Sequence, residues 1–201
     1  MSHFFCVLHL EPENESKFKV AKSERSPEII LRLVKSDEPR ATVDDIYRRY
    51  CRYVAGVIVR LDGHTADVDD LVQEVFVEAA AGIASLRDPE AIKGWLATIA
   101  VRRVRRRLRM RRMWRFLGFE GSTEKAGLID PAASPTDRLL LRAVYRVLDN
   151  MPTDDRLAFG LHVIEGETKE SVAKLCGCSF ATAKRRVSRA KQRIEEELSD
   201  V

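Results

Sequence analysis

A run of arginines on a helix-like pattern is the part of this sequence best suited to bind a polyanion. Residues 102–112 include eight arginines, and no acidic residue occurs between Glu90 and Glu120. Like charges one helical turn apart repel each other, and the phosphates of a nucleic acid would neutralise them. An apolar stripe at helical spacing crosses the same segment: Ile92, Leu96, Ile99, Ala100, Val104 and Leu108. A merely solvated or disordered basic tail would lack this stripe, so we predict an ordered nucleic-acid surface.

The charge distribution supports a nucleic-acid binder that also docks a protein. The chain has 201 residues, a third of them charged, and a net charge of only +4. Acidic residues concentrate at 62–78 and 195–197, whereas arginines concentrate at 102–115. The apolar run at 4–8 is too short to span a membrane and lacks the features of a signal peptide. We therefore expect a cytoplasmic protein without membrane association.

Cysteine and histidine positions predict neither a metal site nor a catalytic centre. Cys176 and Cys178 provide two ligands, which is fewer than a structural zinc site needs. The other positions weighed as ligands or as catalytic bases are His3, Cys6, His9, His64 and His162. None of them has the sequence partners that a ligand set or a nucleophile–base pair requires. We expect no cofactor, no metal and no enzymatic activity.

The hydrophobic pattern predicts an all-α protein with two small helical domains joined by a flexible linker. Residues 1–42 contain three prolines and little periodicity, which predicts a weakly ordered extension. Spacings of three and four then indicate a first domain over 43–117. Residues 118–136 are rich in glycine and proline and predict the linker, and 137–201 form the second domain.

The end of the second domain predicts a helix-turn-helix. Residues 168–175 form the first helix, Gly177 supplies a positive-φ turn, and Ser179 caps the next helix. The apolar residues expected in the core are Phe180, Ala183, Val187, Ala190 and Ile194. The polar residues expected to face DNA are Thr182, Lys184, Arg185, Arg186 and Arg189. Arginines on such a helix can reach guanine edges in the major groove.

Three segments resemble the signatures of bacterial extracytoplasmic-function (ECF) sigma factors of the sigma-70 family. They are Asp-Leu-Val-Gln-Glu-Val-Phe at 70–76, Gly-Trp-Leu-Ala-Thr-Ile-Ala at 94–100, and the helix-turn-helix at 176–193. They occur in the family's order and spacing, across residues 43–198. The resemblance implies a region 2 helical bundle followed by a region 4 helix-turn-helix. The 19 residues of the linker are too few for the additional domain of larger sigma factors.

The resemblance also implies a role for each block in a non-catalytic subunit of RNA polymerase. Asp70, Leu71, Gln73 and Glu74 match the face that docks on the beta-prime clamp helices of core polymerase, and the beta subunit is a further implied partner. The residues implied in minus-ten recognition, melting and single-strand binding are Arg87, Lys93, Arg102, Arg103, Arg105, Arg106 and Arg109. The helix-turn-helix residues match the reader of the duplex minus-thirty-five element. An anti-sigma factor is an implied candidate partner, and we expect a monomer when the protein is free.

One departure from the family lies in the basic segment. The family usually has Arg-Asn after the Ile-Ala pair and an Asp one turn later, where this chain has Val101-Arg102 and Arg106. Family base selectivity is therefore not carried over to these positions. Two alternatives remain open: an autonomous helix-turn-helix regulator, and a nucleic-acid enzyme such as a recombinase or nuclease. The latter needs a nucleophile or a carboxylate cluster for metal, and neither is evident in the sequence.

Overall fold

The computed structural model describes residues 43–64, 66–83, 88, 91–118 and 134–199, and within these ranges the chain forms helices and no strand. The helices are α1 (Val43–Asp62), α2 (Val68–Gly82), α3 (Ile92–Phe116), α4 (Pro135–Asn150), α5 (Thr153–Phe159), α6 (Lys169–Cys176) and α7 (Phe180–Leu198). A wider, π-helical turn at Gly160–Ile164 continues α5. The predicted extension at 1–42, most of the predicted linker and Arg87 lie outside the described residues. The all-α prediction is confirmed.

Helices α1, α2 and α3 form the first bundle. The apolar stripe predicted for α3 is buried along its whole length, from Ile92 to Leu108. It packs with buried residues of α1, such as Val54 and Ile58, and of α2, such as Val75. Because the stripe occupies one side of α3, the arginines between its members are directed to the other sides. The basic segment is therefore part of a folded core and is not a tail.

Helices α4 to α7 form the second bundle, and α6 and α7 make the predicted helix-turn-helix. Gly177 ends α6 with a φ of 60°, which L-residues with a Cβ rarely adopt. The hydroxyl of Ser179 accepts a hydrogen bond from the Thr182 N–H and caps α7. The prediction that Phe180 lies in the core is wrong. Phe180 is the first residue of α7 and is 48% exposed, and the buried stripe begins one turn later, at Ala183.

The two bundles pack against each other. One apolar cluster contains residues of α1 and α3 together with Leu157 of α5, Val172 of α6 and Val187 of α7. At Gly63, which has a φ of 71°, an added Cβ would lie 2.5 Å from a ring carbon of Tyr145. At Gly160 an added Cβ would lie 2.8 Å from a methyl group of Leu61. Glycines thus permit close approach of the bundles from both sides.

Candidate nucleic-acid and protein interfaces

Helix α2 presents an exposed acidic face. Asp70, Gln73, Glu74 and Val77 follow the i, i+3, i+4, i+7 spacing that places side chains on one side of a helix, and all four are exposed. Leu71, which the family resemblance placed with the docking residues, is instead 5% exposed, because its position belongs to the stripe that α2 buries. Its side chain packs in the hydrophobic core beneath the acidic face and is not part of the exposed surface.

Val77 is a residue of this face that the sequence analysis missed. It is 71% exposed, although it is a large apolar residue. The signal that could have identified it is its phase, since it lies out of register with the stripe of Val68, Leu71, Val72 and Val75. An isolated exposed valine is ordinary, but here it extends an acidic face toward its C-terminal end. The face therefore combines negative charge with one apolar contact.

The acids of α2 neutralise the first arginines of α3. Arg103 donates to Glu74 at 3.0 Å and to Glu78 at 2.7 Å, and Arg102 pairs with Glu78 at 2.7 Å. One turn further along α3, Arg107 pairs with Asp67. The protein's own carboxylates therefore neutralise part of the positive charge of α3, so an external polyanion is not its sole counter-charge. Arg102 and Arg103 lie against α2 in this structure.

The middle of α3 faces the second bundle. Arg105 lies 3.2 Å from the carboxylate of Asp154 and donates to the Cys176 carbonyl oxygen at 2.8 Å. Arg109 lies 3.4 Å from Asp154. Arg106 is exposed and has no ion-pair partner within the described part of the chain. Among the arginines of α3 that are predicted to contact nucleic acid, Arg106 is therefore exposed and without an ion-pair partner in the described ranges.

The last turns of α3 contribute to a buried polar cluster. Arg111 donates to the Asp62 carboxylate at 2.8 Å, and Asp62 is 3% exposed. The Nδ1 atom of His64 lies 2.9 Å both from Arg111 and from the carbonyl oxygen of Asp62. Burial is the largest effect and lowers the pKa of His64. The hydrogen bond with the Asp62 carbonyl opposes it, the positive charge of Arg111 lowers the pKa further, and the charges of Asp62 and Asp149 raise it more weakly. The imidazole is therefore held in its neutral form.

Arg156 joins this cluster from the second bundle. Its guanidinium is buried and donates to the carbonyl oxygens of Leu61 at 3.3 Å and Asp62 at 2.6 Å, and it also pairs with Asp149. Nearby, the Tyr145 hydroxyl donates to the Arg60 carbonyl oxygen at 2.9 Å. Burial raises the pKa of Tyr145, so this hydroxyl remains a donor. These bonds satisfy carbonyls at the end of α1 that the helix itself leaves free.

Helix α7 carries the predicted reader residues of the helix-turn-helix. Lys184 and Arg185 are exposed and have no ion-pair partner in the described ranges. Arg186 pairs with Asp154 at 3.0 Å, and Arg189 pairs with Asp155 at 2.8 Å. The hydrogen bond and charge of Asp155 raise the pKa of Arg189. Thr182 contacts Ser179 through a 2.9 Å hydrogen bond between their hydroxyls. The predicted residues therefore lie together on α7, and two of them, Arg186 and Arg189, are already paired with acids of the protein itself.

Lys93 lies at the start of α3, apart from the arginine cluster. Its ammonium lies 4.8 Å from the centre of the Tyr53 ring, within the range of a cation–π contact. The lysine is nevertheless exposed. Burial of Tyr53, with a smaller contribution from the negative charge of Glu165, raises the pKa of its hydroxyl to about 12. Arg87, which is also predicted to take part in minus-ten recognition, lies outside the described residues.

The cysteines of the described ranges are free thiols, and these ranges contain no group of three or more His, Cys, Asp or Glu side chains arranged to hold a metal. Burial raises the pKa of the Cys176 thiol, which keeps it protonated. Within the same ranges, every helix is too short or too polar to cross a membrane.

Two family models match the chain in order. The model described as Sigma-70 region 2 matches residues 46–113, and the model described as Sigma-70, region 4 matches residues 141–194. The first match covers the bundle of α1 to α3, and the second covers most of α4 to α7. The acidic face of α2 and the arginines of α3 fall in region 2, and the helix-turn-helix falls in region 4.

Related proteins carry corresponding names. The ECF RNA polymerase sigma factor EcfG of Rhodopseudomonas palustris is 33% identical over 136 residues, which cover 68% of this chain and 74% of EcfG. The ECF RNA polymerase sigma-E factor of Escherichia coli is 28% identical, over 75% of this chain and 83% of that protein. The probable RNA polymerase sigma factor RfaY of Xanthomonas campestris is 30% identical over 72% of this chain, and the match spans 37% of RfaY.

Solved structures show the same fold. The sigma factor RpoE of Bartonella quintana, crystallised with the anti-sigma factor NepR, superposes with a TM-score of 0.61 and 25% identity, covering 78% of this chain and 96% of that one. CnrH, solved with the cytosolic domain of CnrY, gives a TM-score of 0.57 at 22% identity, covering 86% of this chain and 96% of CnrH. The order of the two sigma regions and the identity to EcfG across most of its length agree with these folds. The chain therefore belongs to the ECF sigma factors of the sigma-70 family, the proteins that direct RNA polymerase to promoters.

Proposed function

We propose that this protein is a dissociable specificity subunit that binds core RNA polymerase, recognises a bipartite promoter and helps to melt it. The observation that carries the proposal is the combination, in one chain, of an exposed acidic face on α2, a basic helix α3 and a helix-turn-helix at α6–α7. The subunit binds and positions its ligands, and bond formation between nucleotides is left to the polymerase. It works in the cytoplasm, where bacterial core polymerase meets the chromosome.

The acidic face of α2 is the surface proposed to dock on the beta-prime clamp helices. Asp70, Gln73 and Glu74 supply polar and negative groups, and the exposed Val77 adds an apolar contact on the same side of the helix. A basic partner helix would complement this charge. Arg103 holds Glu74 from behind, and this ion pair restricts the rotamers of the glutamate before docking. The beta subunit is a further proposed contact of the holoenzyme.

The loop before α3 and the exposed side of α3 are proposed to hold the unpaired strand of the minus-ten element. Arg106 and Lys93 are exposed and can reach phosphates directly. Arg105 and Arg109 can do so only after leaving Asp154, and Arg102 and Arg103 only after leaving the acids of α2. Arg87 completes the proposed set. The proposed surface therefore combines a few cations that are free to bind phosphate with others that must first leave a carboxylate of the protein.

Helix α7 is proposed to read the minus-thirty-five element in the major groove. Arg185 and Arg189 lie on the side opposite the buried Val187 and are proposed to reach base edges, whereas Lys184 and Arg186 hold phosphates. Thr182, in the first turn, is also proposed to face the DNA. An autonomous regulator would use the same helix. It would have no use for the acidic face of α2, which favours the polymerase partner.

An anti-sigma factor is a proposed regulatory partner. The structure of Bartonella quintana RpoE contains such a partner, and its sigma chain matches most of the present chain. In the absence of that partner and of polymerase, we propose that the protein is a monomer, with its two bundles packed on each other.

The test of the proposed function is transcription. Purified protein mixed with core enzyme should co-purify with it and yield transcripts from defined promoters selected from the source genome. Gln73→Ala combined with Glu74→Arg should weaken assembly, because the reversed charge meets a basic partner at a cost of several kcal/mol. The matched control is Asp44→Arg, a charge reversal at an exposed site of α1 outside the docking face. Tight sequence-specific binding to duplex DNA without association to core enzyme would identify an autonomous regulator instead.

A further inference from the structure

We propose that Asp154 and Asp155, at the start of α5, form a carboxylate latch that competes with DNA for arginines of both promoter-contacting surfaces. In the free chain the latch holds these arginines, and promoter binding requires their release. The proposal rests on the proposed function of α3 and α7. It adds that the two surfaces share one internal competitor.

The contacts of Asp154 connect the two surfaces. One carboxylate lies 3.2 Å from Arg105 and 3.4 Å from Arg109 of α3, and 3.0 Å from Arg186 of α7. The next carboxylate, Asp155, receives two hydrogen bonds from Arg189 at 2.8 and 3.2 Å. Two consecutive acids thus engage four of the residues predicted to bind DNA. Arginine binds a phosphate in the same two-pronged manner in which Arg189 binds Asp155.

The pairs of Asp154 with Arg105 and Arg186 are partly buried, whereas Arg109 and Arg189, with side chains 62% and 63% exposed, form ordinary surface pairs. The side chain of Arg186 is 18% exposed and that of Asp154 is 27% exposed, so water screens the interaction only in part. A single negative charge on Asp154 faces three guanidinium groups. The local excess of positive charge remains attractive to a polyanion, so phosphates can displace the carboxylate. The latch therefore restrains the arginines without abolishing the electrostatic attraction of DNA.

The same geometry excludes simultaneous use of both surfaces while the latch is closed. Arg105 and Arg186 contact one carboxylate and are therefore within a few ångströms of each other. The minus-ten and minus-thirty-five elements are about 25 base pairs apart, which is about 85 Å at about 3.4 Å per base pair. The two bundles must therefore separate before both elements are bound. Because α5 and α7 belong to the same bundle, this separation breaks the bonds of Asp154 to Arg105 and Arg109 of α3.

The experiment compares DNA binding by the free chain with and without the latch. The variant Asp154→Asn/Asp155→Asn keeps the shapes of both side chains and removes two negative charges. The matched control, Glu196→Gln/Glu197→Gln, removes two charges from exposed positions of α7 that bond only within that helix. The probe is a fluorescein-labelled duplex of mixed sequence, and the readout is fluorescence anisotropy over a range of salt concentrations. Circular dichroism verifies the folding of each variant.

We expect the latch variant to bind about tenfold more tightly than the control, since two partly buried pairs and two exposed pairs no longer have to break. The slope of log K against log salt should steepen by about 0.9 for each arginine that now reaches a phosphate. An increase in affinity equal to that of the control, with an unchanged slope, would overturn the proposal. If the double variant does not fold, Asp154→Asn alone is judged by the same two readouts.

Transcription with core enzyme separates the latch from the proposed function. Promoter-specific transcripts from the wild-type protein, combined with latch-variant binding equal to the control, would refute the latch and leave the function standing. A wild-type protein that neither binds core enzyme nor directs transcription would refute the function. The anisotropy comparison would then still decide whether these carboxylates compete with DNA.

Discussion

The two arginine-bearing helices, α3 and α7, use their cations differently. On α3, arginines pair with acids of α2, with Asp62 of α1 and with Asp154 of α5, and Arg106 stays open. On α7, Lys184 and Arg185 stay open, and Arg186 and Arg189 pair with the two acids of α5. Helix α3 is therefore a structural element of the whole fold as well as a nucleic-acid surface, whereas α7 presents a more open surface.

The difference follows from the neighbours of each helix. Helix α3 has 25 residues, and its buried stripe packs in the cluster shared by both bundles. Several of its other faces therefore meet acidic residues of adjacent elements. Helix α7 buries the stripe from Ala183 to Ile194 and leaves its opposite side to solvent. Arginine density in a sequence thus indicates a basic helix, but the neighbouring acids decide which arginines remain available to an external phosphate.

The largest effect should come from the buried end of α3. Replacing Arg111 with methionine keeps much of the side-chain volume but leaves Asp62 charged, buried and deprived of its ion pair. Removing one partner of a buried pair typically costs about 3–5 kcal/mol of unfolding free energy. The control Arg106→Met removes an exposed arginine of the same helix and should change stability by about 0.5 kcal/mol or less. Urea unfolding followed by circular dichroism measures the free energy of unfolding of both variants. Equal losses of stability would mean that Arg111 contributes no more to the fold than the exposed Arg106.

The second prediction concerns strand opening by the middle of α3. Replacing Arg105, Arg106 and Arg109 with alanine should leave binding to core enzyme intact and impair open-complex formation, as measured by permanganate footprinting. The defect should be largest at low salt and shrink as salt concentration rises, because each lost contact makes the log–log slope shallower by roughly 0.7 to 0.9. A matched control is Arg142→Ala/Arg146→Ala, which removes exposed arginines of α4. Normal opening at moderate salt would restrict α3 to its structural role.

A smaller effect is expected at α7, where base reading and phosphate binding can be separated. Loss of Arg185 should cost roughly 1–3 kcal/mol and relax discrimination at one or two base pairs of the upstream element. Its neighbour Lys184 is equally open and serves as the matched control. Lys184→Ala should weaken binding to all sequences alike. Competition between promoter variants measures both, and unchanged discrimination by Arg185→Ala at every upstream position would remove this residue from the reader set.

Local signals in the sequence were sufficient to predict the helices. Gly177 adopts the positive φ expected of it, and Ser179 caps α7 through its hydroxyl as predicted. Gly63 likewise ends α1 with a positive φ. Such features depend on the conformational preferences of single residues and their near neighbours, which the sequence states directly. The wrong prediction that Phe180 is buried concerns only the first residue of α7, where the helix has not yet reached the core.

The contacts between distant segments could not be predicted in this way. Arg156 and Leu61 are 95 positions apart, and Arg105 bonds to a carbonyl 71 positions away. No local periodicity specifies which acid meets which arginine, since ion pairing depends on how the bundles are oriented. Asp154 and Asp155 looked like ordinary acids in the first turn of a helix. The proposed site residues and domain boundaries remain predictions, and the experiments above test the sites.

The smallest expected effect is a pH dependence at the structural end of α3. Burial lowers the pKa of His64 in the folded protein below its ordinary value of about 6.5. The hydrogen bond with the Asp62 carbonyl opposes this effect, the charge of Arg111 adds to it, and the charges of Asp62 and Asp149 oppose it more weakly. As pH falls through about 6.5, the unfolded chain therefore takes up a proton before the folded chain does, and the free energy of unfolding decreases. His64→Asn keeps an acceptor for Arg111 but does not titrate, so its melting temperature should fall less between about pH 7.5 and 5.5. The control His162→Asn, which replaces a half-buried histidine of the second bundle, should retain the wild-type dependence on pH. An identical pH profile for the wild type and His64→Asn would show that the end of α3 does not hold this imidazole neutral.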